Sequence, residues 1–146
     1  MRRLPLIAMG IVSLLLPLGT LADEPTKKGD EVPILRELSA KGVKFQEDGK
    51  VTKPTVVKNA KELAKVMSDE KELDRVTKEV NWDKQYLLVF SWGGSGGDKL
   101  TSETAKVKEN EVVFKYMPGL TRDFRMHMRL YAVRNGVTWK FEAAKK

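Results

Sequence analysis

The sequence predicts an α+β domain in which one helical hairpin or bent helix packs on a largely antiparallel sheet of about five strands. Three observations lead to this prediction. Residues 59–78 carry apolar side chains three and four positions apart, which is the spacing of a helix. Residues 124–134 place apolar residues at alternate positions over a long run, as strands do. Turn signals such as Asn135-Gly136 separate the apolar runs, so neighbouring strands are expected to be antiparallel.

The first 22 residues have the three parts of a cleavable secretory signal peptide. Arg2 and Arg3 form the positive start, residues 4–18 are apolar, and residues 20–22 form a small-x-small cleavage site. The apolar part is shorter than the ~20 residues that a membrane-spanning helix needs. We therefore expect export by the general secretory route to the periplasm or the extracellular medium, with no stable membrane insertion after cleavage.

Cleavage after Ala22 would leave 124 of the 146 residues, which is enough for one domain. We expect a flexible leader at 23–31, a single α+β domain at 32–142 and a disordered tail at 143–146. The chain has no cysteine, which excludes disulfides, thiolate metal sites and a lipid-anchored lipoprotein. Residues 1–22 hold two of the 27 basic residues and none of the 20 acidic ones, so 25 basic residues remain and the net charge is +5. This moderate excess favours contact with anionic surfaces.

The first part of the domain predicts a strand pair followed by helices. Residues 33–40 fit either a short strand or a helical turn. Residues 43–45, the turn at Asp48-Gly49 and the segment 51–57 predict two paired strands, and Pro54 places the second at a sheet edge or a strand start.

Residues 59–78 predict two helical segments. Asn59 can cap the first, and Glu62 can reach back to its start. We expect Ser68 to cap the second segment, which is strongly charged and has a solvated outer face. The apolar positions that face the core are Leu63, Val66 and Met67 in the first segment, and Leu73 and Val76 in the second.

The second part of the domain predicts the strands of the sheet. Residues 86–92 are the most apolar run and do not alternate, so we expect a central strand covered on both faces. Glycines within 93–97 are expected to interrupt this strand, and further strands are predicted at 100–107 and 111–117. In the long strand at 124–134, one face is expected to be core: Phe124, Met126, Met128, Leu130 and Ala132. Asn135-Gly136 predicts a two-residue hairpin turn into a last strand at 137–141.

The glycine-rich segment 93–97 satisfies the G-x-S-x-G pattern of a nucleophile elbow, and Asp123 and His127 follow Ser95 in the order of α/β-hydrolases. An elbow, however, runs from a strand into a helix of a parallel sheet, whereas this chain predicts a strand after the glycines. The spacing of a phosphate-binding loop is not met either. We expect a flexible loop or wide hairpin turn, or a small polar recognition loop. The candidate binding residues of that recognition loop are Gly94, Ser95, Gly96 and Lys99.

Basic residues form the second candidate site. Arg122, Arg125, His127 and Arg129 lie close together, and arginine suits bidentate contact with carboxylate or phosphate. The alternative is a solvated sheet face, or ion pairs with the acidic helix face. Because His127 is the only histidine and lies between two arginines, we expect no metal site. We also expect no cofactor and no nucleic-acid partner.

Three stretches carry a resemblance to known proteins: NWDKQYLLVFSW, GGSGGDKLT and KYMPGLTRDFRMHMRLYAVRNGVTWKF. They resemble uncharacterised secreted proteins of planctomycete-type bacteria over most of the mature chain. More remotely, the order of elements looks like the protease-complex PrcB C-terminal family, although Ser95 is the nearest substitute for the threonine usual beside that family's loop glycines. The resemblance implies a protein-binding or accessory module and no catalytic residues.

The sequence thus predicts an exported, non-enzymatic binding or accessory module. It would contact a protein or an anionic cell-envelope component through residues 93–99 and the segment from Arg122 to Arg134. Two alternatives remain open, which are a small serine hydrolase that uses Ser95 and a purely structural envelope protein.

Overall fold

A computed structural model of the chain describes residues 32–104 and 110–143. The predicted signal peptide and leader lie outside this range, as do residues 105–107 of the strand predicted at 100–107 and residues 144–146 of the predicted tail 143–146, whereas Ala143 belongs to a strand. The described elements are, in order, β1 (Leu35–Leu38), β2 (Thr55–Val57), α1 (Ala60–Val66), α2 (Glu70–Glu79), β3 (Gln85–Ser95), β4 (Lys99–Thr104), β5 (Glu111–Met117), β6 (Phe124–Arg134) and β7 (Thr138–Ala143). Residues 35–38, which fitted a strand or a helical turn, are therefore a strand.

The strands form two sheets rather than one. The first sheet has the order β1-β6-β3-β2 and is antiparallel throughout. The second has the order β4-β5-β7, in which β5 runs antiparallel to β4 and parallel to β7. The α+β class and the largely antiparallel pairing are confirmed, while the described residues form seven strands in two sheets instead of about five in one.

Strand β3 is covered on both faces, as its continuous apolar run predicted. Leu87 and Val89 point into a helix-side core, where they pack with residues of both helices such as Leu63 and Val76. Leu88, Phe90 and Trp92 point the other way into an inter-sheet core. The molecule therefore has three layers in the order helices, first sheet and second sheet.

Aromatic rings fill the inter-sheet core. Phe90 is fully buried, and its ring centroid lies 4.8 Å from that of Phe114, 5.8 Å from that of Tyr131 and 6.5 Å from that of Phe141. Edge-on and tilted aromatic contacts at these distances are favourable beyond the area that they bury. Phe90 thus joins three strands from the two sheets.

The helices begin at polar caps. The Asn59 side chain accepts a hydrogen bond from the Glu62 amide at 2.9 Å, and the Glu62 carboxylate accepts one from the Lys58 amide at 2.7 Å, which confirms the predicted capping of α1. Ser68 does not cap α2. Asp69 does so instead, because its carboxylate accepts hydrogen bonds from the next free amides, those of Lys71 and Glu72.

The strand pair predicted within 43–57 does not form. Only residues 55–57 are a strand, and they pair with β3 rather than with residues 43–45. The Lys44 amide donates instead to the Val66 carbonyl at the end of α1, and the Gln46 amide donates to the Ser91 hydroxyl. The backbone amides of residues 44 and 46 therefore donate to acceptors that are distant in the sequence, which the local pattern could not reveal.

Asn135-Gly136 forms a turn but not a hairpin, because β6 and β7 lie in different sheets. The Val137 amide donates to the Arg134 carbonyl at 3.1 Å, and Gly136 alone of the two central residues has a positive φ, of 81°. A hairpin turn of type I′ needs positive φ at both central residues. Here only one of the two φ angles is positive, and after the turn the chain leaves the first sheet and enters the second.

Only part of the predicted core face of β6 is buried. Leu130 and Ala132 are fully buried in the helix-side core and Met128 packs against it, but Phe124 and Met126 are 74% and 59% exposed. Alternation along the strand is continuous, whereas the helix-side core reaches no further than Met128. The first part of β6 therefore projects beyond the layers that cover the rest.

Candidate functional site

The glycine-rich segment continues strand β3 and does not interrupt it. Gly93, Gly94 and Ser95 pair with residues of β6, and the Asp98 amide then closes a tight turn by donating to the Ser95 carbonyl at 3.0 Å. Strand β4 follows at once but pairs with β5. Neither the expected flexible loop nor the wide hairpin is present. The turn instead carries the chain from the first sheet to the second.

The Asp98 carboxylate holds this end of the molecule together. One oxygen accepts hydrogen bonds from the Trp92 indole at 3.1 Å and from the Tyr116 hydroxyl at 2.8 Å. The other accepts a hydrogen bond from the Gly119 amide at 2.7 Å. One side chain thus joins β3, β5 and the connection between β5 and β6.

These contacts change the acidity of both partners. Burial by itself would raise the pKa of the Asp98 carboxyl, but the donors Gly119, Tyr116 and Trp92 outweigh it and the pKa lies below its ordinary value. Burial, together with the hydrogen bond to the Asp98 carboxylate and its negative charge, raises the pKa of Tyr116 to about 12. The pair is therefore a carboxylate and a neutral phenol at neutral pH.

We expect the stabilisation from Tyr116 to disappear at alkaline pH. Its pKa is raised from about 10 in the unfolded chain to about 12 in the folded protein, so its contribution is complete below pH ~10 and is lost as the pH rises through ~12. Urea unfolding of wild type and Tyr116→Phe from pH 8 to 12 measures this. The stability difference between the two proteins should shrink over the upper two pH units. A constant difference would contradict the prediction.

The connection between β5 and β6 is attached to the turn by hydroxyl groups. The hydroxyls of Ser95 and Thr121 lie 2.6 Å apart, and the Gly97 amide donates to both, at 3.3 and 3.2 Å. Gly119 lies against the turn, and a Cβ at that position would be 2.6 Å from the Ser95 hydroxyl oxygen. Only a glycine lets the two segments approach this closely.

The three residues of the hydrolase alternative are brought near one another but are not connected as a triad. His127 contacts the Ser95 carbonyl oxygen, at 2.8 Å, rather than its hydroxyl. Asp123 bonds to Arg125 and to the Gly96 amide. The segment after Ser95 is a turn and a strand, whereas a nucleophile elbow leads into a helix.

His127 is half-buried and stacks on Trp92, with the ring centroids 4.9 Å apart and the planes 14° apart. Because a carbonyl oxygen only accepts, the contact with Ser95 assigns the hydrogen to Nε2 of His127. The histidine therefore supports the turn from the strand beside it, and Gly94 and Ser95 belong to the same supported segment.

The basic candidates do not converge on one point. Arg125 bonds to Asp123 at 2.7 Å, and Arg129 bonds to Glu37 of β1 at 2.9 Å. The hydrogen bond from Thr121 and then that from Arg125 lower the pKa of Asp123 to about 2. Lys99 and Arg122 are exposed and form no ion pair with any described residue. The ion pairs are made with β1 and with the loop before β6, rather than with the acidic helix face.

Exposed apolar side chains lie on the segments next to the turn, and the sequence did not predict them as a site. Leu120 is 98% exposed and Met117 47% exposed, in addition to Phe124 and Met126. Met117 pairs with Lys99 at the start of β4, and Phe124 pairs with Ser95 at the end of β3. We call residues 93–99 and 117–127 the turn-end surface. The sequence held one indication of this surface. Leu120 is an apolar residue in a connection between strands, with Pro118-Gly119 before it and polar residues after it.

In the part of the chain that the structure describes, no group of three or more histidine, aspartate or glutamate residues is placed to hold a metal ion. Within residues 32–104 and 110–143, no helix is long and apolar enough to cross a membrane.

Comparison with protein-family models, with curated proteins and with solved structures found no match for this chain. The resemblances to planctomycete secreted proteins and to the PrcB C-terminal family therefore stay predictions, and the function has to be argued from the site itself.

Proposed function

We propose that the chain is an exported, non-enzymatic binding module that holds a protein partner on the turn-end surface. The observation that carries the proposal is the pair of exposed apolar side chains on one face of β6, Phe124 and Met126, together with Leu120, which is almost fully exposed in the connection just before β6. Exposed apolar residues scattered singly need no explanation, whereas a group of them marks an interaction surface.

The surface is held in place before any partner binds. The turn is fixed by the hydrogen bonds of the Asp98 carboxylate and by the contact between the hydroxyls of Ser95 and Thr121. Phe124 and Met126 stand on a strand that pairs with β3 along its whole length. A rigid surface loses little conformational entropy on binding, which favours affinity.

A protein partner fits the surface better than an anionic envelope polymer does. Arg125 and Arg129 are neutralised by Asp123 and Glu37, so fewer positive charges are free than the sequence indicated. Lys99 and Arg122, which form no ion pair with a described residue, remain available on the turn-end surface. A surface that combines exposed apolar residues with a few charges is typical of protein interfaces.

The hydrogen bonds of Ser95 support a structural role for this residue rather than a nucleophilic one. Its hydroxyl lies against Thr121 and the Gly97 amide, and its carbonyl accepts from His127 and Asp98. An ester-substrate assay and a serine-reactive active-site probe are therefore expected to give no signal with wild type.

The test is affinity capture from an extract of the cell envelope, with the wild-type protein and the double variant Leu120→Ser/Phe124→Ser as baits. Both side chains are exposed, so the double variant should keep its stability to within about 1 kcal/mol. It should lose the proteins that wild type retains at moderate salt. Val56→Thr, which changes an exposed apolar residue on β2, is the matched control and should retain them.

Equal capture by wild type and the double variant would overturn the proposal. A different result would favour an anionic envelope component as the partner instead of a protein. In that case Arg122→Glu would lose capture and Leu120→Ser/Phe124→Ser would keep it in full.

A further inference from the structure

A groove of about 480 Å³ lies at the other end of β3, where the strand begins. Its main lining residues are Lys58, Trp82, Gln85, Tyr86, Asn135 and Trp139. Pockets that hold small molecules have volumes of about 300–1,000 Å³ and combine aromatic walls with a few polar groups. This groove has that composition, and it shares no residue with the turn-end surface.

The polar atoms of two aromatic side chains are already occupied by the protein. The Trp82 indole donates to the Thr77 carbonyl at 3.2 Å, and the Tyr86 hydroxyl donates to the Val137 carbonyl at 3.0 Å. These rings therefore offer mainly carbon surface to an occupant. Trp139, which packs partly against the inter-sheet core, adds a third aromatic wall.

Two of the lining residues carry hydrogen-bond donors that have no partner in the described part of the chain. Gln85 is only 3% exposed; its side-chain oxygen accepts from the Asn81 amide at 3.2 Å, but its NH₂ group meets no acceptor among the described residues. Buried donors without an acceptor are rare in native proteins and call for an explanation. The ammonium group of Lys58 is exposed and has no ion pair within the described part of the chain.

We propose that this groove binds a small molecule that combines a ring with a carboxylate group. The ring stacks on the aromatic walls, as sugar and aromatic rings do. The carboxylate meets the exposed Lys58 ammonium, and the Gln85 side chain turns toward it, because this gives its NH₂ group the acceptor that it lacks. A sugar acid and an aromatic acid share this chemistry, and the groove has no other cation among the lining residues to favour a larger negative charge.

The three tryptophans make a direct test possible, because each indole N–H gives its own signal in a ¹H–¹⁵N spectrum. Two of the indoles, those of Trp82 and Trp139, belong to groove residues, while Trp92 lies at the turn. The purified protein is titrated with glucuronate and with benzoate, and with glucose and benzyl alcohol as their neutral counterparts. We expect saturable shifts of the Trp82 and Trp139 signals with at least one carboxylate probe and an unchanged Trp92 signal.

Binding of glucuronate alone would identify a sugar acid, and binding of benzoate alone an aromatic acid. Lys58→Gln should weaken binding at least about tenfold, the equivalent of 1.4 kcal/mol. Lys61→Gln removes a nearby exposed charge outside the groove lining and should not weaken it. Saturation of the two indole shifts by the neutral probes at the same concentration as by the acids would overturn the proposal, as would no shift with any probe.

Gln85→Leu separates recognition from a packing effect. The substitution removes an unpaired buried donor but also the acceptor of the Asn81 amide, so the melting temperature is measured alongside as the readout of packing alone. If the amide receives the carboxylate, the same variant also weakens probe binding. Unchanged affinity in both Gln85→Leu and Lys58→Gln would overturn the proposal.

Discussion

Phe90→Ala should lower the free energy of unfolding by about 3–5 kcal/mol, the largest effect expected from a single truncation in this domain. Phe90 is fully buried and contacts aromatic rings of β5, β6 and β7. Strands of both sheets surround the site, so the cavity can collapse only by moving one sheet relative to the other. Against a total stability of about 5–15 kcal/mol for a typical domain, this loss brings the protein close to unfolding at 37 °C.

Urea unfolding followed by circular dichroism measures the effect. Phe124→Ala is the matched control, since it removes the same side chain from an exposed position and should change the stability by no more than about 0.5 kcal/mol. The two variants also separate stability from binding, because Phe124→Ala is expected to lose partner capture while it keeps the fold. A loss of less than about 1 kcal/mol in Phe90→Ala would mean that the inter-sheet core is not packed as described.

Asp98→Ala should lower the free energy of unfolding by about 2 kcal/mol, because one buried donor loses its acceptor and two further hydrogen bonds are removed. The buried donor is the indole N–H of Trp92, whose side chain is almost fully covered. The Tyr116 hydroxyl and the Gly119 amide are partly exposed and can turn to water, so they add less. Asp98→Asn should cost nearly as much, since its NH₂ group would face one of these donors.

The pH dependence provides an internal check. The pKa of Asp98 is lowered in the folded protein, so its contribution is present above the unfolded value of about 3.9 and is lost as the pH falls through the folded value. The stability difference between wild type and Asp98→Ala should therefore be constant from pH 5 to 8 and shrink below pH ~4. Phe124→Ala, which removes no ionisable group, is the control and should show no such change. A pH-independent difference would contradict the role given to the carboxylate.

The sequence predicted those elements whose signals are local. The cap at Asn59 depends on residues within three positions, and the coverage of β3 on both faces follows from its own composition. The division into two sheets could not be predicted in this way. Asn135-Gly136 has the same composition whether it reverses a strand or passes it to another sheet, and here β7 pairs with β5, a partner that the turn residues do not reveal.

The candidate site shows the same limit. Segment 93–97 was singled out for its glycines, but its geometry is set by Asp98, whose partners lie 6, 18 and 21 positions away in the chain. Alternation along β6 predicted that Phe124 is core, and this was wrong. Alternation shows which face of the strand a residue occupies, but it does not show how far the opposing layer extends. Phe124 and Met126 are exposed because β6 begins beyond the reach of the helix-side core.

The pairing of β1 with β6 affects the time at which the protein can fold. Leu35, near the start of the described chain, pairs with Val133, near its end, and β6 also provides the main partner of β3. Contacts between such distant residues require a large loop to close before any stabilisation is gained, which slows folding. During synthesis neither core can close until β6 has been made. The N-terminal segment that is predicted to direct export would be complete long before then, so the nascent chain would still be without its core when that segment is first available.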